Sequence, residues 1–173
     1  MRTRPMTVYL GLGSNLGNRH HNLAQALNRL APQAKIVRCS SVYDTAPQDN
    51  PDQPRFLNMA VRAETGLSPE LLLELTKSIE TALGRRSAPP NSPRPIDIDI
   101  LFYGKLIRHD PDPIIPHPRL HKRAFVLIPL SEIAPRLKHP VTHQTAQEML
   151  RELKLQEQEV IKCGGGKRCI NLR

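Results

Sequence analysis

The sequence contains no tryptophan, and only three phenylalanines and three tyrosines among its 173 residues. Its three cysteines, Cys39, Cys163 and Cys169, are too few and of the wrong parity for a disulfide framework, so we expect a reducing compartment. No apolar run approaches the roughly 20 residues that span a membrane. The opening residues, MRTRPMTVYLGLG, also lack the apolar core and cleavage site of a secretory signal. These absences predict a cytoplasmic protein that does not associate with membranes.

Charge of one sign is in excess. The chain carries 25 Lys and Arg against 16 Asp and Glu, a formal net charge of +9. Such an excess favours an anionic partner, whether nucleic acid, a nucleotide or a phosphorylated metabolite, and does not distinguish among them. An apolar fraction of 39% is typical of a globular chain that buries a core. We predict a single domain over residues 6–155 and a flexible or additional tail over residues 156–173.

Within this basic chain, two aspartates stand one residue apart in the apolar run RPIDIDILF, residues 94–102. The alternation has the period of a β-strand, which places Asp97 and Asp99 on one face and the isoleucines on the other. Two like charges on one face repel each other and are costly to desolvate unless a cation lies nearby. Carboxylate oxygens are ligands that Mg²⁺ prefers. The pair therefore indicates a metal site, and two solvated acids on an exposed strand are the alternative.

The remaining patterns predict strands over residues 7–12, 35–43 and 56–65. Helices are predicted after Asn18 and after Ser68, two residues that favour helix N-termini. A short buried helix (AFVLIPLSEIAP) and an amphipathic helix (TAQEMLREL) follow the acidic strand, and the chain after residue 155 is predicted to be frayed. The order βαββαβ is that of the ferredoxin-like α+β sandwich, a mostly antiparallel sheet with helices packed on one face. Long Pro-rich loops beside the third and fourth strands are expected to meet over one end of the sheet.

Basic side chains stand at the ends of these loops. Arg85 and Arg94 border the loop before the acidic strand, and His117 and Arg123 lie in the loop after it. Guanidinium groups bind phosphate oxygens bidentately and are always charged. Their convergence on two carboxylates predicts a triphosphate–metal site, although any one of them alone is more often a solvated loop charge.

Phe56 begins the third predicted strand, and Phe125 follows the loop that contains His117 and Arg123. The two rings are therefore placed to sandwich a flat heterocycle. Asn58, on the same strand face as Phe56, has both a donor and an acceptor for a polar ring edge. Two core phenylalanines and a turn asparagine are the alternative. The segment GLGSNLG, residues 11–17, lacks both the G-x-G-x-x-G spacing and the Lys-Ser/Thr of a P-loop, so close backbone packing is predicted there instead of dinucleotide binding.

Six segments, taken in their order along the chain, together resemble the 6-hydroxymethyl-7,8-dihydropterin pyrophosphokinases of folate biosynthesis. They are LGLGSNLGNR, SSVYDTAP, DQPRFLNMAV, IETALGR, PRPIDIDILFYG and PHPRLHKRAFVLIPLSEIAP, and the likeness extends over residues 8–153. One departure concerns residues 87–91, Ser-Ala-Pro-Pro-Asn, where better-known members have more arginines and a tryptophan.

The resemblance implies a ferredoxin-like fold and transfer of the β,γ-diphosphoryl group of ATP to the pterin hydroxymethyl oxygen, with release of AMP. It implies two Mg²⁺ ions held by Asp97 and Asp99, with Arg85 and Arg94 completing the catalytic set. The nucleotide contacts that it implies come from Lys77, Glu80, Arg85, Arg94, Ile98, His117 and Arg123. The pterin contacts that it implies come from Thr45, Ala46, Pro47, Gln48, Phe56, Asn58, Asp97 and Phe125.

Two other functions remain open at this point. A nucleic-acid-binding module fits the net charge, but RNA-reading sheets present aromatic residues in a characteristic strand motif that these strands lack. A two-metal nuclease fits the aspartates, but it usually needs further carboxylates where these loops offer bases. With the pterin kinase as the leading reading, we expect ATP and the pterin as partners, no nucleic acid, and a monomer.

Overall fold

The structure, a computed structural model, describes residues 4–153 and 158–163. Within those residues the strands are β1 (Met6–Ser14), β2 (Ala34–Cys39), β3 (Tyr43–Thr45), β4 (Phe56–Thr65), β5 (Asp97–Tyr103) and β6 (Val160–Lys162). The helices are α1 (Arg19–Leu30), α2 (Pro69–Ala82), α3 (Ala124–Ile133) and α4 (Ala146–Glu152), with a 3₁₀ turn at Leu120–Lys122.

The strands form one antiparallel sheet in the order β5-β1-β4-β3-β6, and β2 pairs with the remaining length of β4. Because β1 occupies one whole edge of β4, β2 and β3 share its other edge. The core order β5-β1-β4-β2, with α1 and α2 as the connections, is the ferredoxin-like topology. The predicted fold class is therefore confirmed.

Helices α1 and α2 begin where the sequence predicts. The side chain of Asn18 accepts a hydrogen bond from the backbone N–H of His21 at 3.1 Å, and that of Ser68 accepts from Leu71 at 3.3 Å. Pro69 follows Ser68 at the first helical position, where its missing N–H is not needed. None of the helices among the described residues has the length and apolarity to cross a membrane.

Both faces of the sheet carry helices, so the prediction of helices on one face is wrong. Side chains of α1 and α2, such as Leu27 and Leu72, pack with Leu10 and Ile98 on the first face. Helix α3 is apolar on most of its surface, and it buries that surface with α4 against the second face, around Phe102. Alternating burial in β5 confirms that Ile98 and Ile100 face the first core while Asp97 and Asp99 face the other side.

The predicted strand over residues 35–43 is divided into β2 and β3. The backbone N–H of Ser40 bonds the carbonyl of Ala60 at 2.8 Å, and the Ser40 hydroxyl accepts from the Ala60 N–H at 2.8 Å. This side-chain contact ends the regular ladder. A register shift between Ile36 and Arg38 adds a further irregularity in β2.

The chain after residue 155 is predicted to be frayed, but residues 158–163 continue the sheet. Strand β6 pairs with β3 in the register Tyr43↔Lys162 and Thr45↔Val160, which covers an edge that β3 would otherwise expose. The rest of the predicted tail, including Cys169, lies outside the described residues, and the boundary of the domain stays a prediction.

Two adjacent leucines test the assigned face of α2. Leu72 is fully buried and Leu71 is 50% exposed. We expect Leu72→Ala to lower the free energy of unfolding by about 2–5 kcal/mol, because it removes buried methyl groups and leaves a cavity. Leu71→Ala, the matched control, should change it by less than about 0.5 kcal/mol. Urea denaturation measures both, and similar losses in the two variants would contradict the packing described.

Candidate active site

A cleft of about 290 Å³ opens on the second face of the sheet, beyond the start of α3. Strand β1 runs along its floor between β4 and β5, in the register Gly13↔Asn58 and Gly13↔Asp97. Gly11 and Gly13 both line the cleft, and neither has a side chain to fill it. The space above β1 is therefore left open between the carboxylates of β5 and the polar and aromatic side chains of β4.

Gly13 has a second requirement. A Cβ at this position would lie 2.6 Å from Oδ1 of Asn58, closer than side chains tolerate, whereas a Cβ at Gly11 would meet Leu101 at an ordinary 3.5 Å. The Nδ2 of Asn58 donates to the hydroxyl of Thr45 at 2.7 Å, which holds the carboxamide in place. The sequence predicts close backbone packing at the strand–helix turn, but the close contact at Gly13 lies within β1 and is made with a side chain.

Two arginines hold Asp97. Nη1 of Arg85 lies 2.6 Å from Oδ1, and Nη2 of Arg94 lies 3.2 Å from Oδ2. Burial alone would raise the pKa of Asp97, but the positive charges of Arg94 and Arg85 outweigh it and hold that pKa below its usual value. Asp97 is therefore a carboxylate at neutral pH, and both of its oxygens point into a basic environment.

Asp99 is not paired in this way. Among the described residues, the basic side-chain atom that lies within 4.0 Å of its carboxylate is Nε2 of His117, a ring that carries no charge at neutral pH. Burial, followed by the negative charge of Asp97, raises the pKa of Asp99 to about 6. A half-buried carboxylate beside a second one is short of positive charge, and its oxygens are hard ligands. The donor set therefore fits a divalent cation on this face of β5.

His117 is neutral in this environment. Burial, followed by repulsion from Arg123 and Arg119, lowers its pKa to about 4. Its Nδ1 accepts a hydrogen bond from the backbone N–H of Arg119 at 3.2 Å, so the ring proton belongs on Nε2, the atom facing Asp99. His117 is thus arranged as a neutral donor towards the acidic pair or a ligand bound to it.

Glu80 lies beneath the cleft and is only 2% exposed. Its Oε1 accepts from the backbone N–H of Ile98 at 2.8 Å and lies 3.1 Å from Nη1 of Arg85. Its Oε2 pairs with Nζ of Lys77 at 3.1 Å. Glu80 therefore fixes α2 to β5 and orients Arg85, while the side chain of Ile98 packs in the core. Glu80 and Ile98 do not line the cleft, although the resemblance assigns both to the nucleotide. Their contacts with ATP stay predictions.

The predicted aromatic pair lines the cleft. Phe56 and Phe125 are each half-buried, unlike the core residue Phe102, and Phe125 also packs against the second core, so their role as a ring sandwich stays a prediction. The guanidinium of Arg94 lies 5.1 Å from the ring centre of Phe56, and that of Arg123 lies 5.3 Å from that of Phe125. The aromatic and basic parts of the site are therefore contiguous.

Asn15 joins the loops around the cleft. Its Nδ2 donates to Oε1 of Gln53 at 3.0 Å and to the carbonyl of Pro54 at 3.2 Å, and its Oδ1 accepts from the backbone N–H of Arg94 at 2.8 Å. The loop before β4 and the loop before β5 thus meet at one buried side chain.

The cleft brings together most of the predicted residues and adds others. The predicted residues that line it are Thr45, Ala46, Pro47, Gln48, Phe56, Asn58, Lys77, Arg85, Arg94, Asp97, Asp99, His117, Arg123 and Phe125. Sequence reasoning missed Asp49, Gln53, Asn91 and Arg119, which also line it. Only Arg119 had a usable signal, its place between His117 and Arg123 in a basic loop.

Residues 9–135 match the family model of 7,8-dihydro-6-hydroxymethylpterin-pyrophosphokinase (HPPK). The chain belongs to the HPPK family. The 2-amino-4-hydroxy-6-hydroxymethyldihydropteridine pyrophosphokinase of Bacillus subtilis is 42% identical over 83% of this chain and 88% of its own length. The Methylorubrum extorquens protein of the same name is 45% identical over 84% of this chain and 92% of its own.

Longer HPPK relatives also match. Folic acid synthesis protein FOL1 of Dictyostelium discoideum is 44% identical over 82% of this chain, and the chain spans only 22% of that protein. The crystal structure of Plasmodium falciparum HPPK-DHPS superposes on 86% of this chain and 45% of its own, with a TM-score of 0.70 and 18% identity. That superposition supports the ferredoxin-like fold.

The two floor glycines form a matched pair for testing the site. Gly13→Ala should lower the free energy of unfolding by about 1–3 kcal/mol, because the new Cβ forces Asn58 away from Thr45. Gly11→Ala, on the same strand and face, meets only ordinary contacts and should cost less than about 0.5 kcal/mol. Urea unfolding of both variants measures the difference. Equal stability would show that Asn58 is not held against β1.

Proposed function

We propose that this chain transfers the β,γ-diphosphoryl group of ATP to the hydroxymethyl oxygen of 6-hydroxymethyl-7,8-dihydropterin. The products are the pterin diphosphate and AMP, in folate biosynthesis. The observation that carries the proposal is the cleft itself: two carboxylates on β5, a ring of basic side chains and a pair of half-buried aromatics share one cavity. Its chemistry suits a polyphosphate beside a flat heterocycle.

The pterin subsite is proposed at the β4 side of the floor. Phe56 and Phe125 would take the two faces of the ring, which binds by stacking. Asn58 and the backbone of residues 45–48 would take its polar edge, since Asn58 and the peptide groups offer both donors and acceptors. The bond from Asn58 to Thr45, at 2.7 Å, supports a carboxamide oriented before any ligand arrives.

The polyphosphate subsite is proposed at the β5 side. Arg85, Arg94, Arg123 and His117 would contact phosphate oxygens, with Lys77 and Glu80 beside them. Asp97 and Asp99 would hold two Mg²⁺ ions, which neutralise phosphate charge and align the oxygens for displacement. Arg119, which also lines the cleft, adds positive charge on the same side.

The chain's own residues contribute positioning and charge. Described side chains in the cleft include carboxylates, bases and amides, and the proposed reaction is a direct in-line transfer without an enzyme nucleophile. Asp97, whose lowered pKa keeps it ionised, pairs with Gly13 on one side of β1, and Asn58 pairs with Gly13 on the other. From that position Asp97 can orient the pterin hydroxyl. Arg85 and Arg94, which pair with Asp97, would also stabilise the charge that develops on the transferred group.

The product of the nucleotide tests the proposal. With Mg²⁺, ATP and 6-hydroxymethyl-7,8-dihydropterin, the chain should release AMP in a one-to-one ratio with the pterin diphosphate, because displacement at the β-phosphorus frees AMP. Separation of nucleotides by anion-exchange chromatography measures this ratio. Formation of ADP alone, or of AMP without pterin diphosphate, would contradict the proposal.

Asp99→Asn tests the proposed metal ligands. It preserves shape but removes one charge of the acidic pair, and turnover should fall by about a hundredfold or more. Glu74→Gln, an equivalent change at an exposed position of α2, should leave the rate within about twofold. Near-normal turnover in Asp99→Asn would contradict the metal assignment while leaving the reaction itself intact.

The remaining parts of the proposal concern the oligomeric state, the partners and the cellular compartment. A monomer that binds these two small molecules, without nucleic acid, in the cytoplasm stays a prediction from the sequence. The nuclease alternative is not favoured, since basic residues and aromatics, more than further carboxylates, surround the acidic pair in the described cleft. The nucleic-acid alternative still lacks the aromatic strand motif of RNA-reading sheets.

A further inference from the structure

Gln158, just before β6, contacts two separate parts of the cleft wall. Its Oε1 accepts a hydrogen bond from the backbone N–H of Ala124 at 2.7 Å, and the side-chain amide of Gln48 donates to the same oxygen. Its Nε2 donates to the carbonyl of Lys122 at 3.3 Å. One side chain therefore joins the 45–48 loop to the start of α3.

Helix α3 depends on this contact for its first N–H. Arg123 occupies the position before the helix and makes no capping bond with its side chain. The first N–H groups of a helix have no partner within the helix, so an acceptor must come from elsewhere. Gln158 supplies it to Ala124, and Phe125 is the next residue. The cap therefore helps to set where the aromatic ring enters the cleft.

Glu159, the residue between Gln158 and β6, fixes the position of Gln158 from the other side. The carbonyl of Glu159 accepts from the N–H of Ala46 at 3.1 Å, and its carboxylate pairs with Nη1 of Arg55 at 2.9 Å. The register Thr45↔Val160 continues the same connection into β3. Gln158 is thus held against the 45–48 loop while its side chain reaches α3.

We propose that Gln158 is a positioning residue for the pterin subsite, which rests on the proposed function. It sets the distance between the 45–48 loop and Phe125, two walls that come from distant parts of the chain. Arg85, Arg94 and Asp97 hold one another by separate contacts on the β5 side. Loss of Gln158 should therefore loosen the pterin subsite and leave those three residues in place. Arg123, a proposed phosphate contact, lies between Lys122 and Ala124, the two residues that Gln158 bonds, so the nucleotide subsite should be affected to a smaller degree.

Steady-state kinetics with each substrate varied in turn tests the assignment. Gln158→Ala should raise the KM for the pterin about five- to tenfold, the cost of lost hydrogen bonds, with kcat within about twofold and a smaller rise, up to about threefold, in the KM for ATP through Arg123. Gln158→Glu keeps the acceptor for Ala124 and Gln48 but loses the donor to the carbonyl of Lys122, so its pterin KM should lie between those of the unchanged chain and Gln158→Ala. Gln147→Ala, an exposed change on α4, is the control and should alter no parameter.

Each outcome decides the matter. An unchanged pterin KM in Gln158→Ala, an equal rise in both KM values, or a pterin KM in Gln158→Glu as high as that in Gln158→Ala would overturn the positioning role. A chain that makes no AMP in any form would overturn the proposed function, and the positioning role with it. AMP production with an unaltered pterin KM in Gln158→Ala would remove the positioning role alone.

Discussion

Two carboxylates on one face of β5, in a chain of net positive charge, are the constraint on which the site depends. Asp97 satisfies its charge with Arg85 and Arg94, while Asp99 has no such partner recorded in the described part of the chain and a pKa raised to about 6. The same pair of acids therefore organises the arginines and leaves an unmet demand for positive charge. A divalent cation that also binds phosphate, as we propose, would meet that demand.

The neighbouring strand makes the acids usable. β1 lies between β5 and β4, and side chains on its cleft face would fill the space between the side chains of those two strands. Gly11 and Gly13 remove that obstacle, so a ligand above β1 reaches Asp97 on one side and Asn58 on the other. Burial of Glu80 below the floor then ties α2 to β5 and aims Arg85. The fold thereby places two carboxylates on β5 and the amide and aromatic side chains of β4 on either side of β1, around one cleft.

Local signals in the sequence were sufficient for much of this arrangement. The alternation of Asp and Ile predicted β5 and its faces, and the capping residues Asn18 and Ser68 predicted the starts of α1 and α2, because each signal acts within a few residues. The HPPK resemblance supplied the cleft residues that no local pattern could bring together.

The features that the sequence did not reveal depend on distant partners. Ser40 divides the predicted second strand because it bonds Ala60, twenty positions away. β6 is three residues long and forms on the edge of β3, so its own pattern is no stronger than that of a loop. The burial of Glu80 depends on Ile98 of another element. Long-range pairing, more than local propensity, decided each of these cases.

The central claim is that the acidic pair of β5 binds the cations that hold the nucleotide. The most direct measurement is anomalous X-ray scattering from crystals of the chain with Mn²⁺, α,β-methylene ATP and the pterin, since the methylene bridge blocks cleavage at the α,β position. The account predicts two Mn²⁺ peaks, each within about 2.0–2.3 Å of a carboxylate oxygen of Asp97 or Asp99 and of a phosphate oxygen. Bound nucleotide with its metal away from both aspartates would contradict it.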